Sequence, residues 1–269
     1  MSRSEHPIAR HLHSYVNGST KLLATVMILP LIDGIFPALI LAGALDSLIG
    51  IIQVGLLVFG GSATVAVILT EMDSTVSKNV KSILLVGVPL IFIAGVEAAI
   101  APMIKSGLNL LIFQRFAALV IIAIAAKTVS ARVGELLPRP SIIVGLGFVG
   151  SLSPSTFIWK VTISPPLIGR AMAAGVVGVG FAIAVVLLKN RLLANLNVAR
   201  FRFGTAIALG ILAVSLFEPA FTYAPLAVLG VTTTLAFEPD GKQPSTPADG
   251  EESETMQMRG SKNKPIHYP

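Results

Sequence analysis

The chain contains no cysteine, which removes disulfides, thiolate metal sites and cysteine nucleophiles together. Histidine is almost as scarce. Its four copies, His6, His11, His13 and His267, all stand in the polar ends, so no apolar run supplies an imidazole for haem, for a HExxH zinc site or for a serine–histidine dyad. No mid-span lysine is available to hold a retinal Schiff base, and Asp33 is the one aspartate well inside an apolar run, which argues against a two-aspartate intramembrane protease. Gly145-Leu-Gly147-Phe-Val-Gly150 matches a dinucleotide fingerprint, yet no acid occurs between Glu135 and Glu218 and the glycines lie in an apolar run, so the match fails. These absences point away from an enzyme, from an ATP-driven pump on this chain alone and from any cofactor or metal.

Charge is also thin. Only 13% of residues are charged against 54% hydrophobic, and the mean hydropathy is +0.81; a soluble domain of this composition would have too little polar surface to cover itself. A hydrocarbon core about 30 Å thick needs roughly 20 apolar residues per helical crossing. Eight runs approach that: Leu22–Gly43, Ser47–Leu69, Ser82–Ile104, Leu108–Lys127, Ser141–Ile158, Leu167–Leu188, Phe203–Tyr223 and the short Pro225–Phe237. They are continuously apolar rather than alternating, which selects helix over a membrane barrel. The expectation is an all-α, polytopic bundle of about eight spans over residues 22–237, with a cytoplasmic segment over 1–21.

Lys and Arg accumulate in cytoplasmic loops. One side carries Arg3, Arg10 and Lys21, then Lys78 and Lys81, then Lys127, Arg132 and Arg139, then Lys189, Arg191, Arg200 and Arg202; the other carries Lys105, Lys160 and Arg170. Both termini are therefore expected in the cytoplasm, with Trp159 and Tyr223 at the outer interface. The net charge of +6 reads as membrane topology, since no aromatic-interleaved basic patch suggests nucleic acid. The first apolar run is too long for a cleavable signal. Residues 238–269, rich in Pro, Ser and Gly with an acidic run at Glu251, Glu252 and Glu254, form an expected disordered cytoplasmic tail.

The second half echoes the first. Asp33-Gly-Ile-Phe-Pro37 lies over Gly150-Ser-Leu-Ser-Pro154, Ala66-Val-Ile-Leu69 over Ala184-Val-Val-Leu187, and Glu97 over Glu218. Two four-helix repeats would explain this, as in some transporters; so would the sameness of apolar helices.

Charges inside spans are expensive, by roughly 2.5–3.5 kcal/mol on insertion scales. Asp33 is the most central of them. Pro37 cannot donate to the Asp33 carbonyl and Pro30 frees that of Val26, so with Gly34 the first span is expected to kink or break. That would set a carboxylate and spare carbonyls at mid-membrane, a cation or proton site. Glu97 and Arg115 share a depth on either side of a short turn and are expected to pair; Glu218 and Arg170 would form the equivalent pair in an outer cluster. Register-fixing ion pairs with no transport role are the plainer reading of these four. Ser62 and Thr64, with Ser153 beside the helix-breaking Pro154, would line a path; close packing of helices is the plainer reading of such small residues.

Leu23-Ala-Thr-Val-Met-Ile-Leu-Pro-Leu-Ile-Asp-Gly-Ile-Phe-Pro-Ala38, Leu57-Val-Phe-Gly-Gly-Ser-Ala-Thr-Val-Ala-Val-Ile-Leu69 and Arg200-Phe-Arg-Phe-Gly-Thr-Ala-Ile-Ala-Leu-Gly210 resemble an uncharacterised family of multi-pass membrane proteins from halophilic archaea, over roughly residues 15–240. The resemblance implies an archaeal plasma membrane and brings no activity or site residue. The basic balance departs from the acidic surface usual in halophile proteins. Taken together, the residues suggest a secondary transporter or ion-coupled permease for a small solute, partnered by the lipid bilayer; the alternative is a non-transporting scaffold or subunit.

Overall fold

The computed structural model describes residues 18–73, 75–153 and 163–237. Helix starts are set by polar caps between apolar runs. Ser47, Asn109, Ser130 and Asn197 each accept a hydrogen bond from the backbone N–H three residues on, and Pro stands in the first turn of three other helices, where its missing donor costs nothing. The first expected span is a pair, α1 (Gly18–Ile32) and α2 (Ile35–Leu41). The second is α3 (Leu48–Val54), a π-helical turn (Gly55–Phe59) and α4 (Ser62–Thr70), bent by 47°. Then follow α5 (Val76–Ser106), α6 (Leu110–Val129), the short α7 (Ala131–Leu136), α8 (Pro140–Ser151), α9 (Pro165–Leu187), the short α10 (Lys189–Asn195), α11 (Val198–Ser215) and α12 (Ala224–Ala236).

Among the described residues, five stretches are long and apolar enough to cross a membrane, taking α1–α2 as one, and the bent pair makes a sixth. The expected count of eight is not confirmed among the described residues. Helices α8 and α12 have 12 and 13 residues, about 18–20 Å at 1.5 Å per residue, well short of the hydrocarbon core. The far end of the fifth expected span, with Pro154, Trp159 and Lys160, lies outside the described residues, as do residues 1–17 and the tail from 238.

Helix α9 lies along α5 and also packs on the π-helical turn; α11 is flanked by α6 and α12; α6 is paired with α8. Gly147 of α8 serves that last contact. A Cβ built on it would stand 2.5 Å from the Cβ of Phe116, whereas one on Gly145 would meet nothing within 4 Å, so close approach of two helices explains this one glycine of the failed dinucleotide motif. On α5 the outward face carries Leu85, Val88, Phe92, Val96 and Ile100, all exposed, while Ile83, Leu90, Ala94 and Ala98 are fully buried. An apolar stripe of that kind is intolerable in water and natural in lipid. The chain is thus an all-α bundle built for a membrane.

Between α5 and α6 sits α2, which packs on both. These two helices are joined by a tight turn yet do not lie along each other. Their counterparts α11 and α12 do. The two halves are therefore not packed alike, and the architecture lends no support to a duplication.

Candidate functional site

The first span breaks at Gly34, just before Pro37, and not at Pro30. Helix α1 runs past Pro30 and stops at Ile32; Gly34 then takes φ 75°, the left-handed conformation that glycine adopts without strain. The N–H of Asp33 still reaches the Leu29 carbonyl (2.8 Å) and that of Gly34 the Leu31 carbonyl (3.1 Å). Pro37 has no N–H to give, and the carbonyls of Ile32 and Asp33 receive no hydrogen bond from the described residues. Asp33 is half-buried and its carboxyl has no partner among them. The break therefore presents one carboxyl and two spare carbonyl oxygens together.

Glu97 stands near the same level. The hydroxyl of Thr20 donates to that of Ser82 (3.0 Å), fixing α1 beside α5. From these anchors Asp33 lies thirteen residues along α1 and Glu97 fifteen along α5. At 1.5 Å per residue the difference is about 3 Å. Glu97 shares the buried face of α5 with Leu90 and Ala101, and its Oε2 is buried without a hydrogen-bond partner. An unsatisfied buried carboxyl oxygen is costly, and such a group is either a functional one or an uncorrected defect.

The expected ion pairs do not form. Glu97 and Arg115 share a depth, but α2 separates their helices, and Arg115 is exposed on α6 instead. Arg170 pairs with Asp46 at 3.5 Å, both side chains being largely exposed, rather than with Glu218. Glu218 itself is exposed beyond the end of α11. Asp46 gives no signal in the sequence, because it lies in a connection, where a carboxylate calls for no explanation.

The path-lining residues divide. Thr64 is buried and its hydroxyl donates to the Phe59 carbonyl (2.8 Å), which the break at Gly60–Gly61 leaves free; it repairs the backbone rather than lining a path. Ser153 donates its N–H to the Gly107 carbonyl (2.8 Å), tying the end of α8 to the α5–α6 turn. Ser62 does face a cavity, of about 460 Å³ between α4, α6 and α11. A second cavity, about 230 Å³ and apolar, lies among the π-helical turn, α4, α9, α10, α11 and α12. Neither is lined by Asp33 or Glu97. The two broken spans touch through Phe36 and Phe59, whose ring centroids are 4.9 Å apart. Among the described residues, no cluster of three or more His, Asp or Glu is placed to hold a metal.

Against known proteins, residues 90–217 match a family of unknown function (DUF5794). That stretch begins in α5 and ends just after α11, so it includes Glu97 and Arg115 but not the break at Asp33. No curated protein and no solved structure matches the chain. What the comparisons add is similarity, over slightly less than half the sequence, to an uncharacterised family.

Proposed function

We propose that the protein is an ion-coupled secondary transporter for a small solute, with Asp33 and Glu97 as its proton or cation site. The observation that carries this reading is the break at Asp33–Gly34, level with a buried, unpartnered carboxyl on the neighbouring helix. Discontinuous membrane helices expose carbonyls and half-helix ends where ions and substrates bind, and intramembrane acids are functional by default. Protons or small cations satisfy two acids and two carbonyls without further ligands. No enzymatic step is assigned, since no nucleophile–base pair accompanies the acids. The distribution of Lys and Arg supports an orientation with both ends in the cytoplasm.

One observation favours the scaffold reading instead: Phe36 and Phe59 pack the two breaks against each other, and neither described cavity reaches the acids. Flux decides between them. Purified protein in liposomes with an internal pH-sensitive dye, under an imposed pH or sodium gradient, should dissipate the gradient as wild type and not as Asp33→Asn or Glu97→Gln. Equal background leak from all three, with folding intact, would transfer the assignment to a scaffold.

A further inference from the structure

The cavity between α4, α6 and α11 is built from parts that do not need one another. Its walls are Ser62, Ala63 and Ala66 of α4, Lys127 and Thr128 of α6, and Val198, Ala199 and Arg202 of α11. No acidic residue lines it. Helix α4 is the second half of the broken span, so its N-terminus opens inside the bundle rather than at a surface. No side chain caps that terminus, and the first-turn N–H groups of Ser62, Ala63 and Thr64 find no acceptor among the described residues. A helix N-terminus carries roughly half a positive charge from its unpaired donors.

Ser62 is the second, separate sign. It is only 7% exposed, it faces the cavity, and its hydroxyl makes no hydrogen bond with any described residue. Thr128 is different, since its hydroxyl already donates to the Ile124 carbonyl (2.8 Å). Of the two cations, Lys127 reaches only the Pro138 carbonyl at 3.4 Å, and the exposed guanidinium of Arg202 has no partner among the described residues. Donors and positive charge thus converge from three helices with no acceptor to receive them.

We propose that this cavity is an anion site for a phosphate group, either that of a phospholipid headgroup or a free phosphate, bound by Arg202, Lys127, the Ser62 hydroxyl and the α4 N-terminus. A helix N-terminus beside a guanidinium is a proven arrangement for phosphate oxygens. The cavity lies at the basic end of the bundle, where pockets between membrane helices take lipid headgroups. The proposal is independent of the transport reading, because neither Asp33 nor Glu97 lines the cavity.

The test uses the full chain in a phosphate-free, uncharged detergent, with thermal stability measured against two probes. Inorganic phosphate is compared with chloride at equal ionic strength; phosphatidylglycerol is compared with a diacylglycerol of the same chains. A shift with inorganic phosphate identifies a soluble anion, and a shift with phosphatidylglycerol alone identifies a headgroup. Arg202→Gln and Ser62→Ala should each weaken the effective probe about tenfold, the equivalent of one charge-assisted hydrogen bond, while Arg202→Lys retains most of the affinity. Arg191→Gln, an exposed cation on α10 outside the cavity, should change nothing. Absence of a shift with either probe overturns the proposal. So does equal weakening by Arg191→Gln, which would mean general charge attraction. Each variant is first shown to elute as wild type in size-exclusion chromatography, and Arg202→Gln alone suffices if Ser62→Ala does not.

Discussion

Two glycines on one helix separate packing from propensity. A Cβ built on Gly178 would stand 2.5 Å from the Cβ of Phe59 and 3.1 Å from the Gly55 carbonyl oxygen. Neither atom is the end of a flexible side chain, so α9 and the π-helical turn would have to part. Carbon atoms rest at about 3.5–4.0 Å, which sets the separation at about 1 Å or more. Overpacking of this kind costs about 1–3 kcal/mol. Replacing glycine by alanine inside a helix returns about 1 kcal/mol. Gly180, two residues on, has nothing within 4 Å of its built Cβ, so it carries the propensity term alone. Gly180→Ala should therefore stabilise by about 1 kcal/mol, and Gly178→Ala should fall below it by about 1–3 kcal/mol. Unfolding by SDS in mixed micelles, followed by helical circular dichroism, measures both. Equal stabilities for the two variants would refute the claim that close backbone approach holds α9 in place.

Glu97→Leu removes a buried oxygen with no partner, so it should stabilise by about 1–3 kcal/mol in the same unfolding assay; a loss of stability would mean that the carboxyl has a partner in the membrane. Thr64→Val keeps the shape but strands the Phe59 carbonyl, and should cost about 1–3 kcal/mol, measured likewise. Because the chain lacks cysteine, single replacements report sidedness directly. In oriented vesicles, Asp46→Cys should react with an impermeant maleimide from one side and Arg191→Cys from the other; labelling of both from one side would break the alternation of spans.

Much of the membrane architecture was legible because lipid imposes a coarse code. Apolar length marks a crossing, and proline with glycine marks a break, so α5, α6, α9 and the interruption at Asp33–Gly34 follow from composition. The interruption at Gly60–Gly61 had its signal in the same place. Without a proline, two glycines beside Ser62 read as small packing residues; Thr64, four residues beyond Gly60, is the hydroxyl that marks the freed carbonyl. Ion pairs were misread for a geometric reason. Sequence gives depth along a helix but not what lies between two helices, and α2, contributed from far earlier in the chain, stands between Glu97 and Arg115. Lys127 and Arg202 were counted toward orientation, and nothing linear shows that they converge on Ser62. The shortness of α12 is legible in the brief run Pro225–Phe237 itself, whereas that of α8 is not, because the apolar run continues past Ser151.

The position of α2 bears on how the chain is assembled. Helices α5 and α6 leave the ribosome as adjacent spans with a turn too short to store slack, and such pairs ordinarily enter the bilayer as a closed hairpin. Here the hairpin has to stay open or reopen, since a segment synthesised some forty residues before α5 must remain seated between its arms, held there in part by the bond from Gln114 to the Ala42 carbonyl. Late spans cannot settle until that early one is in place. Deleting α1 and α2 should therefore do more than shorten the bundle: it would let α5 and α6 collapse onto each other and trap a differently packed molecule.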